Sequence, residues 1–300
     1  MPRTLGSGSL ATALLLASTA VPVAAQTGTF PDVSIVGSRV ECRAVALVAS
    51  LFEYRYAVSN PATNDAGVAS VSLDISAPLS LRPEMLTTTG FFLGDGSRQA
   101  VNPLSGHVPV GLDIPADWGG NLTPRGALEW YARGDGQAAT RPVAPGTEST
   151  EFLVRSTYLP GIRSYRLLPD YPFHCCPFPA GDPRNDTVHV KSAFDFRSDG
   201  LTIAPTYEPG AVTIGLVQSL RSQVCEMGWI TKAGVCHALE EKLADAAAAL
   251  AANDREGARG SLGAFLNQLD AQHVPGANKA VTDNAYGVLR ANVEALLARL

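Results

Sequence analysis

The residue types best suited to chemistry occur together in one short segment, FHCCPF, at residues 173–178. His174 stands directly before the adjacent cysteines Cys175 and Cys176. Thiolates and imidazole are ligands that suit Cu(I) and Zn²⁺, so the segment is a candidate copper or zinc site. Structural zinc sites, however, usually pair their ligands at C-x₂₋₄-C spacing, which this segment lacks. A metal site here would need a further histidine from elsewhere in the chain.

The same cysteines have a plainer interpretation as disulfide partners. Neighbouring cysteines rarely bond each other because the geometry is strained. We therefore expect Cys42, in an early strand, to pair with Cys175 or Cys176. The chain has five cysteines, so the remaining one would stay free or link two chains into a disulfide-bonded dimer. We favour this interpretation and expect no cofactor, with copper or zinc as the alternative.

A second pair of cysteines lies near the C-terminus. Cys225 ends one predicted helix and Cys236 opens the next. A bond between them would close about ten intervening residues and stabilise the corner by roughly 3 kcal/mol on the chain-entropy model. We predict a structural disulfide rather than a redox or metal role.

Three aromatic residues are candidates for ligand binding: Trp118, Trp130 and Tyr131. Aromatic faces exposed on a β-sheet can stack on sugars or peptides. The segment ALEWYAR nevertheless predicts first a strand with one aromatic residue in the core. A core position is therefore the favoured interpretation and a ligand platform the alternative.

Other classes of function find little support. The chain contains no G-x-S-x-G motif, the signature of a serine hydrolase nucleophile elbow. Its net charge of −5 and its lack of Lys/Arg clusters argue against a nucleic-acid partner, which needs a basic patch. The sequence leaves enzymatic activity open and favours a non-catalytic protein.

The secondary structure that must position these residues is predicted to change near residue 210, from strands to helices. Of the 21 prolines, 18 lie between residues 26 and 210, where short alternating segments such as LFEYRYAVSN and VASVSLDIS predict strands separated by turns. No amphipathic helix interrupts them, which favours an antiparallel arrangement. We predict an antiparallel β-sandwich-like domain over residues 26–209.

Residues 211–300 carry four helical patterns with apolar residues at 3- and 4-residue steps. Each pattern is a single apolar stripe with polar flanks, typical of helices in a bundle. Thr282 or Asp283 is expected to cap the fourth helix. The predicted fold class is thus α+β multidomain, with a small C-terminal α-helical bundle.

The first 25 residues indicate export. A basic start, an apolar run and a small-residue site before Gln26 predict a secretory signal peptide over residues 1–25. No later segment reaches the ~18 apolar residues of a membrane helix, so we expect no membrane span. The expected location is secreted, periplasmic or cell-envelope.

The tail segment GWITKAGVCHALEEKLADAAAALAANDREGARGSLGAFLNQLDAQ resembles the FIMAH domain, a small helical module of bacterial extracellular proteins. The likeness rests on the Gly-Trp-Ile corner at residues 228–230, on LEEKL, on the alanine-rich helix and on LGAFLNQLDAQ. It departs from the pattern after residue 272, where HVPGANKAVTDNAYG replaces a tight Gly-Lys turn. The resemblance implies a fold and an extracellular setting, and it implies no catalytic residues.

Two hypotheses follow from the sequence. The first is a secreted bacterial non-catalytic interaction or envelope-associated protein, whose helical tail docks or stabilises and whose partner is an extracellular protein or a glycan. The second is a copper- or zinc-binding protein or enzyme with its site around His174, Cys175 and Cys176.

Overall fold

Among the described residues, every strand ends by residue 207 and every α-helix begins at residue 214 or later. The computed structural model describes residues 32–48, 51–75, 91–92, 99–101, 110–113, 115, 117–122, 127–132, 141–171, 193–273 and 279–300. Within it, residues 32–300 belong to one compact unit. The strands and the helices are therefore parts of a single packed structure.

Five antiparallel strands form the first sheet: β1 (Arg39–Val48), β2 (Leu51–Asn60), β5 (Gln99–Val101), β6 (Val110–Asp113) and β9 (Thr147–Ser156). Their order in space is β1-β2-β9-β6-β5. The β1–β2 hairpin joins the two alternating segments RVECRAVALV and LFEYRYAVSN, with Cys42 directly opposite Tyr56. β1 is an edge strand of this sheet among the described strands.

Six antiparallel strands form the second sheet: β3 (Val68–Asp74), β4 (Phe91–Phe92), β7 (Trp118–Leu122), β8 (Ala127–Ala132), β10 (Leu159–Pro169) and β11 (Ser198–Tyr207). Their order is β11-β10-β3-β8-β7-β4. β11 thus lies at one edge of this sheet, as β1 does in the other.

The two sheets pack face to face through side chains that alternate along each strand. Along β2, Tyr54, Tyr56 and Val58 are fully buried while Arg55 is exposed, as the period-2 pattern predicts. Aromatic rings then join the sheets. Phe152 of β9 contacts Trp130 of β8 with ring centroids 5.6 Å apart.

Four helices complete the unit: α1 (Ile214–Glu226), α2 (Ala233–Ala251), α3 (Arg255–Gln272) and α4 (Asp283–Leu297). Thr282 is the residue that caps α4, because its hydroxyl accepts a hydrogen bond from the Ala285 N–H at 3.2 Å. In α1, α2 and α3 the buried residues follow the predicted stripe, with Leu239 and Leu243 in α2 as examples. The α+β fold class with a helical C-terminal module is confirmed.

Helix α4 departs from the predicted single stripe. Its buried residues surround most of the helix and include two asparagines, Asn284 and Asn292. The reason is that α4 contacts other helices on one side and strands β1, β10 and β11 on the other. None of the described helices combines the length and the hydropathy that a membrane span requires.

Candidate functional site

The segment that carries the predicted metal site lies outside the described residues. His174, Cys175 and Cys176 all belong to it. Among the residues that the structure does describe, no group of three or more His, Cys, Asp or Glu side chains could hold a metal ion. The copper or zinc site stays a prediction.

Cys42 is a free, fully buried thiol. The structure therefore does not contain the predicted bond from Cys42 to Cys175 or Cys176. The thiol is enclosed by the core, opposite Tyr56, where it packs as a small apolar group. Burial raises the pKa of the Cys42 thiol well above its usual range. A buried, protonated thiol is a poor nucleophile, so Cys42 is a packing residue.

The cysteines of the tail are joined as the sequence predicts. Cys225 at the end of α1 and Cys236 in the first turn of α2 form a disulfide with their Cα atoms 6.1 Å apart. The bond holds the α1–α2 corner, where Trp229 N–H donates to the Val224 carbonyl at 2.9 Å.

The three candidate aromatic residues divide between core and surface. Trp118 and Trp130 are buried, with 3% and 0% exposure, so their indole faces are unavailable as a ligand platform. The indole N–H of Trp118 donates to the Arg141 carbonyl at 3.0 Å, which satisfies it within the fold. Tyr131 differs, because 37% of it is exposed on the outward face of the second sheet.

The most distinctive constellation lies where α4 meets the edges of both sheets. The Asn284 Oδ1 atom accepts two hydrogen bonds there, one from the Cys42 backbone N–H at 2.8 Å and one from the Thr202 hydroxyl at 3.1 Å. Cys42 belongs to edge strand β1 and Thr202 to edge strand β11. One side chain of the tail therefore joins both sheets.

A second buried asparagine of α4, Asn292, contacts β10, the strand next to β11 in the second sheet. The Asn292 Nδ2 atom donates to the Pro160 carbonyl of β10 at 2.9 Å and to the Val288 carbonyl of its own helix at 2.7 Å. We call the set Cys42, Pro160, Thr202, Asn284 and Asn292 the edge seam. An edge strand presents unpaired backbone groups that natural proteins cover or pair, and the edge seam does so with a helix.

Close approach of the backbone makes the edge seam possible. A Cβ atom added to Gly287 would lie 2.8 Å from the Ile203 side chain of β11 and 3.3 Å from the Ala44 nitrogen of β1. A side chain at position 287 would therefore press on Ile203 and on the β1 backbone. Beyond the seam, the Arg299 guanidinium donates to the Gly210 carbonyl at 2.6 Å and to the Val212 carbonyl. These bonds hold the C-terminal end against the segment that joins β11 to α1.

A polar cluster at the other side of α4 joins it to α3. The His273 ring lies 2.6 Å from the Asp283 carboxylate and stacks on Tyr286 with centroids 3.8 Å apart. Lys279 donates to the same carboxylate at 2.6 Å. Burial raises the pKa of Asp283, but the hydrogen bonds from Lys279 and His273 outweigh it and the net shift is downward. This arrangement binds two helices together.

Sequence reasoning missed the residues of the edge seam. The available signal was the presence of Asn284 and Asn292 at an i, i+8 spacing, which places both on the broad helical face that usually carries apolar residues. A buried asparagine needs hydrogen-bond partners, so such a pair points to polar backbone groups on a neighbouring element.

Residues 215–298 match the family model of the FIMAH domain. The match confirms the resemblance that the tail sequence indicates and covers all four helices. The FIMAH domain is a module of bacterial extracellular proteins. A search of curated proteins found no match to this chain.

Proposed function

We propose that this chain is a secreted bacterial protein that acts without catalysis, by binding an extracellular partner or associating with the cell envelope. In it, the helical module stabilises the β-sandwich that presents the binding surface. The observation that supports this role best is the edge seam, where Asn284 pairs with both edge strands. The FIMAH match supports the extracellular setting.

The physical argument concerns the open edges of the sandwich. Without α4, the Cys42 N–H of β1 and the Thr202 hydroxyl of β11 would lose their partner. An edge strand with free backbone groups is a site for pairing with other chains and for aggregation. A helix that covers both edge strands prevents them from pairing with strands of other chains. It leaves the outward faces of the sheets available to a partner.

The Cys225–Cys236 bond fits the same proposal. A small helical module buries limited surface, and extracellular proteins commonly reinforce such modules with disulfides. The module can then serve as a stable cover for the sandwich outside the cell.

Substitution of Asn284 tests the stabilising role. We expect Asn284→Ala to lower the free energy of unfolding by about 1–3 kcal/mol, because it leaves the buried Cys42 N–H without an acceptor. Asn267→Ala is the matched control, since Asn267 is an exposed asparagine of α3. Its effect should stay within about 0.5 kcal/mol. Urea denaturation monitored by circular dichroism measures both.

Deletion of residues 211–300 tests the proposal at the level of the cell. We expect the truncated chain to be lost from the secreted and envelope fractions through aggregation or proteolysis, while the full chain accumulates there. Unchanged stability, location and partners after deletion would overturn the proposal. Turnover of a substrate by the purified full chain would overturn its non-catalytic part.

A further inference from the structure

The outward face of the six-stranded sheet carries a continuous row of polar side chains. Strand register places Asp199 of β11 opposite Arg166 of β10, Arg166 opposite Ser72 of β3, and Ser72 opposite Glu129 of β8. We call these four residues the polar row. With strands about 4.8 Å apart, the row extends for about 14 Å across the sheet.

Together with Arg197, the polar row carries two guanidinium groups and two carboxylates, those of Asp199 and Glu129. Arg166 Nε donates to Asp199 at 2.7 Å, and Arg197 Nε donates to the same carboxylate at 3.0 Å. The Ser72 hydroxyl lies 3.3 Å from the Glu129 carboxylate. Hydrogen bonding by Arg166 lowers the pKa of Asp199, so this carboxylate stays ionised and paired. Such a face offers donors and acceptors in fixed positions with little excess charge.

A depression lies beside three residues of the polar row. Its volume is about 370 Å³ and it is lined by Ser72, Asp74, Ala127, Ser164, Tyr165, Arg166 and Asp199. The lining side chains come from four strands of one rigid sheet. A ligand lying there would therefore meet hydroxyl, carboxylate and guanidinium groups without displacing a loop of the described chain.

Tyr131 extends this surface along β8. It stands two residues after Glu129 on the same face, about 7 Å further along the strand. A Cβ atom on Gly119 would collide with the Tyr131 ring, so the ring lies against the β7 backbone where glycine leaves room. Because 37% of Tyr131 is exposed, the ring has one side on the sheet and the other toward solvent.

A second tyrosine–glycine pair shows which part of this arrangement is special. Tyr165 of β10 covers Gly200 of β11 in the same manner, and this pairing commonly stabilises glycine in sheets. Tyr165, however, is only 8% exposed, so its ring is enclosed. Covering a glycine explains the position of both rings, but it does not require the open outer side of Tyr131.

We propose that this face binds an uncharged oligosaccharide, which stacks one sugar ring on Tyr131 and hydrogen-bonds to the polar row. A flat aromatic surface suits the apolar C–H side of a sugar ring, and neighbouring polar groups suit its hydroxyls. Self-compensated charge complements a neutral ligand better than a polyanion. The inference rests on the proposed function as a binding protein and names the class of its ligand.

Isothermal titration calorimetry of the mature chain with cellohexaose, xylohexaose, laminarihexaose and chitohexaose tests the inference. We expect at least one of these probes to bind. Tyr131→Ala should then weaken the affinity by about tenfold, the effect of losing one aromatic stacking contact. Tyr131→Phe keeps the ring and should bind as the wild type does.

Two further variants separate ring position from overall folding. Gly119→Ala removes no group that would contact the ligand but displaces the Tyr131 ring, so it should weaken binding as Tyr131→Ala does. Tyr158→Ala is the control, because Tyr158 is partly exposed and pairs with Glu208 at 3.1 Å away from this face. Near-ultraviolet circular dichroism confirms that each variant is folded, and Tyr131→Ala against Tyr131→Phe decides the question if Gly119→Ala fails to fold.

Absence of binding to all four probes would overturn the inference, as would unchanged affinity in Tyr131→Ala. Binding by this face to a protein partner or to a charged polysaccharide alone would overturn it as well. These outcomes differ from failure of the proposed function, which is read from the stability of Asn284→Ala and from the location of the truncated chain.

Discussion

At the scale of the residue, Asn284 and Cys42 illustrate opposite uses of burial. Asn284 is polar and buried, and it is satisfied because two donors from different strands converge on its Oδ1 atom. Cys42 provides its backbone N–H to this site, while its thiol packs into the core. Cys42 therefore contributes its backbone N–H and the packing of its side chain. Burial disfavours the charged thiolate, so the sulfur is unreactive.

Cys42 should be unreactive in the folded protein. We expect iodoacetamide to label it only after denaturation, without any reductant, because the thiol is buried and its pKa is raised. Peptide mapping by mass spectrometry of unreduced protein measures this. The linked Cys225–Cys236 peptides serve as the internal control. Recovery of Cys42 in a disulfide with Cys175 or Cys176 would instead support the pairing predicted from sequence.

At the scale of the element, α4 is held from two sides by different kinds of contact. Toward the strands it uses the edge seam, and toward α3 it uses ionisable groups. Asp270 accepts from Tyr286 at 2.8 Å and also from Arg290, which lies near the middle of α4. Hydrogen bonds from Arg290 and Tyr286 outweigh the effect of burial and lower the pKa of Asp270. The α3–α4 contact should consequently respond to pH.

The direction of that response follows from three groups. Burial lowers the pKa of His273 from 6.5, an effect that the hydrogen bond to Asp283 only partly offsets and that the charges of Lys279 and Arg43 reinforce. A histidine with a lowered pKa stabilises the fold above its unfolded pKa and loses that contribution as the pH falls. The pKa values of Asp270 and Asp283 are lowered from 3.8, so these carboxylates also stabilise the fold less as the pH falls, but at more acid pH.

We therefore expect stability to decline in two stages as the pH is lowered, first below about 6.5 and again below about 4. His273→Gln should remove the first stage. His237→Gln is its matched control, since His237 is an exposed histidine of α2. Thermal unfolding from pH 8 to pH 3 measures the three proteins. A first stage that persists in His273→Gln would show that other groups cause it.

At the scale of the whole molecule, strands and helices share one buried interior. Ile203 of β11 meets α4 at Gly287, and the Arg299 side chain ties the C-terminal end to residues 210 and 212. The composition change near residue 210 marks a change in secondary structure within residues 32–300, which belong to one compact unit. Loss of either part would expose apolar surface of the other, so the two should unfold together.

Coincident unfolding can be measured with two probes. In Trp229→Phe the remaining tryptophans, Trp118 and Trp130, report on the sheets, while ellipticity at the helical band reports mainly on α1–α4. We expect equal urea midpoints for both probes because the edge seam couples the parts. Two separate midpoints would show that the sandwich and the bundle are independent domains.

Much of the local structure could be predicted from the sequence. The alternation of Tyr54, Tyr56 and Val58 predicted a strand with one buried face, and the cysteine spacing predicted the Cys225–Cys236 bond. The cap of α4, predicted at Thr282 or Asp283, and the FIMAH-like helices followed from residue types a few positions apart. These features depend on near neighbours in the chain, whose geometry is set by fixed helical and strand periods.

Only the tertiary structure decided which distant residues meet. Asn284 and Cys42 are 242 residues apart, and nothing in either local pattern shows that one accepts the other's N–H. The same holds for the free state of Cys42, for the second buried face of α4 and for the open ring of Tyr131 over Gly119. Periodicity shows which face of an element is buried, while the partner of that face is set by how elements pack across the whole chain.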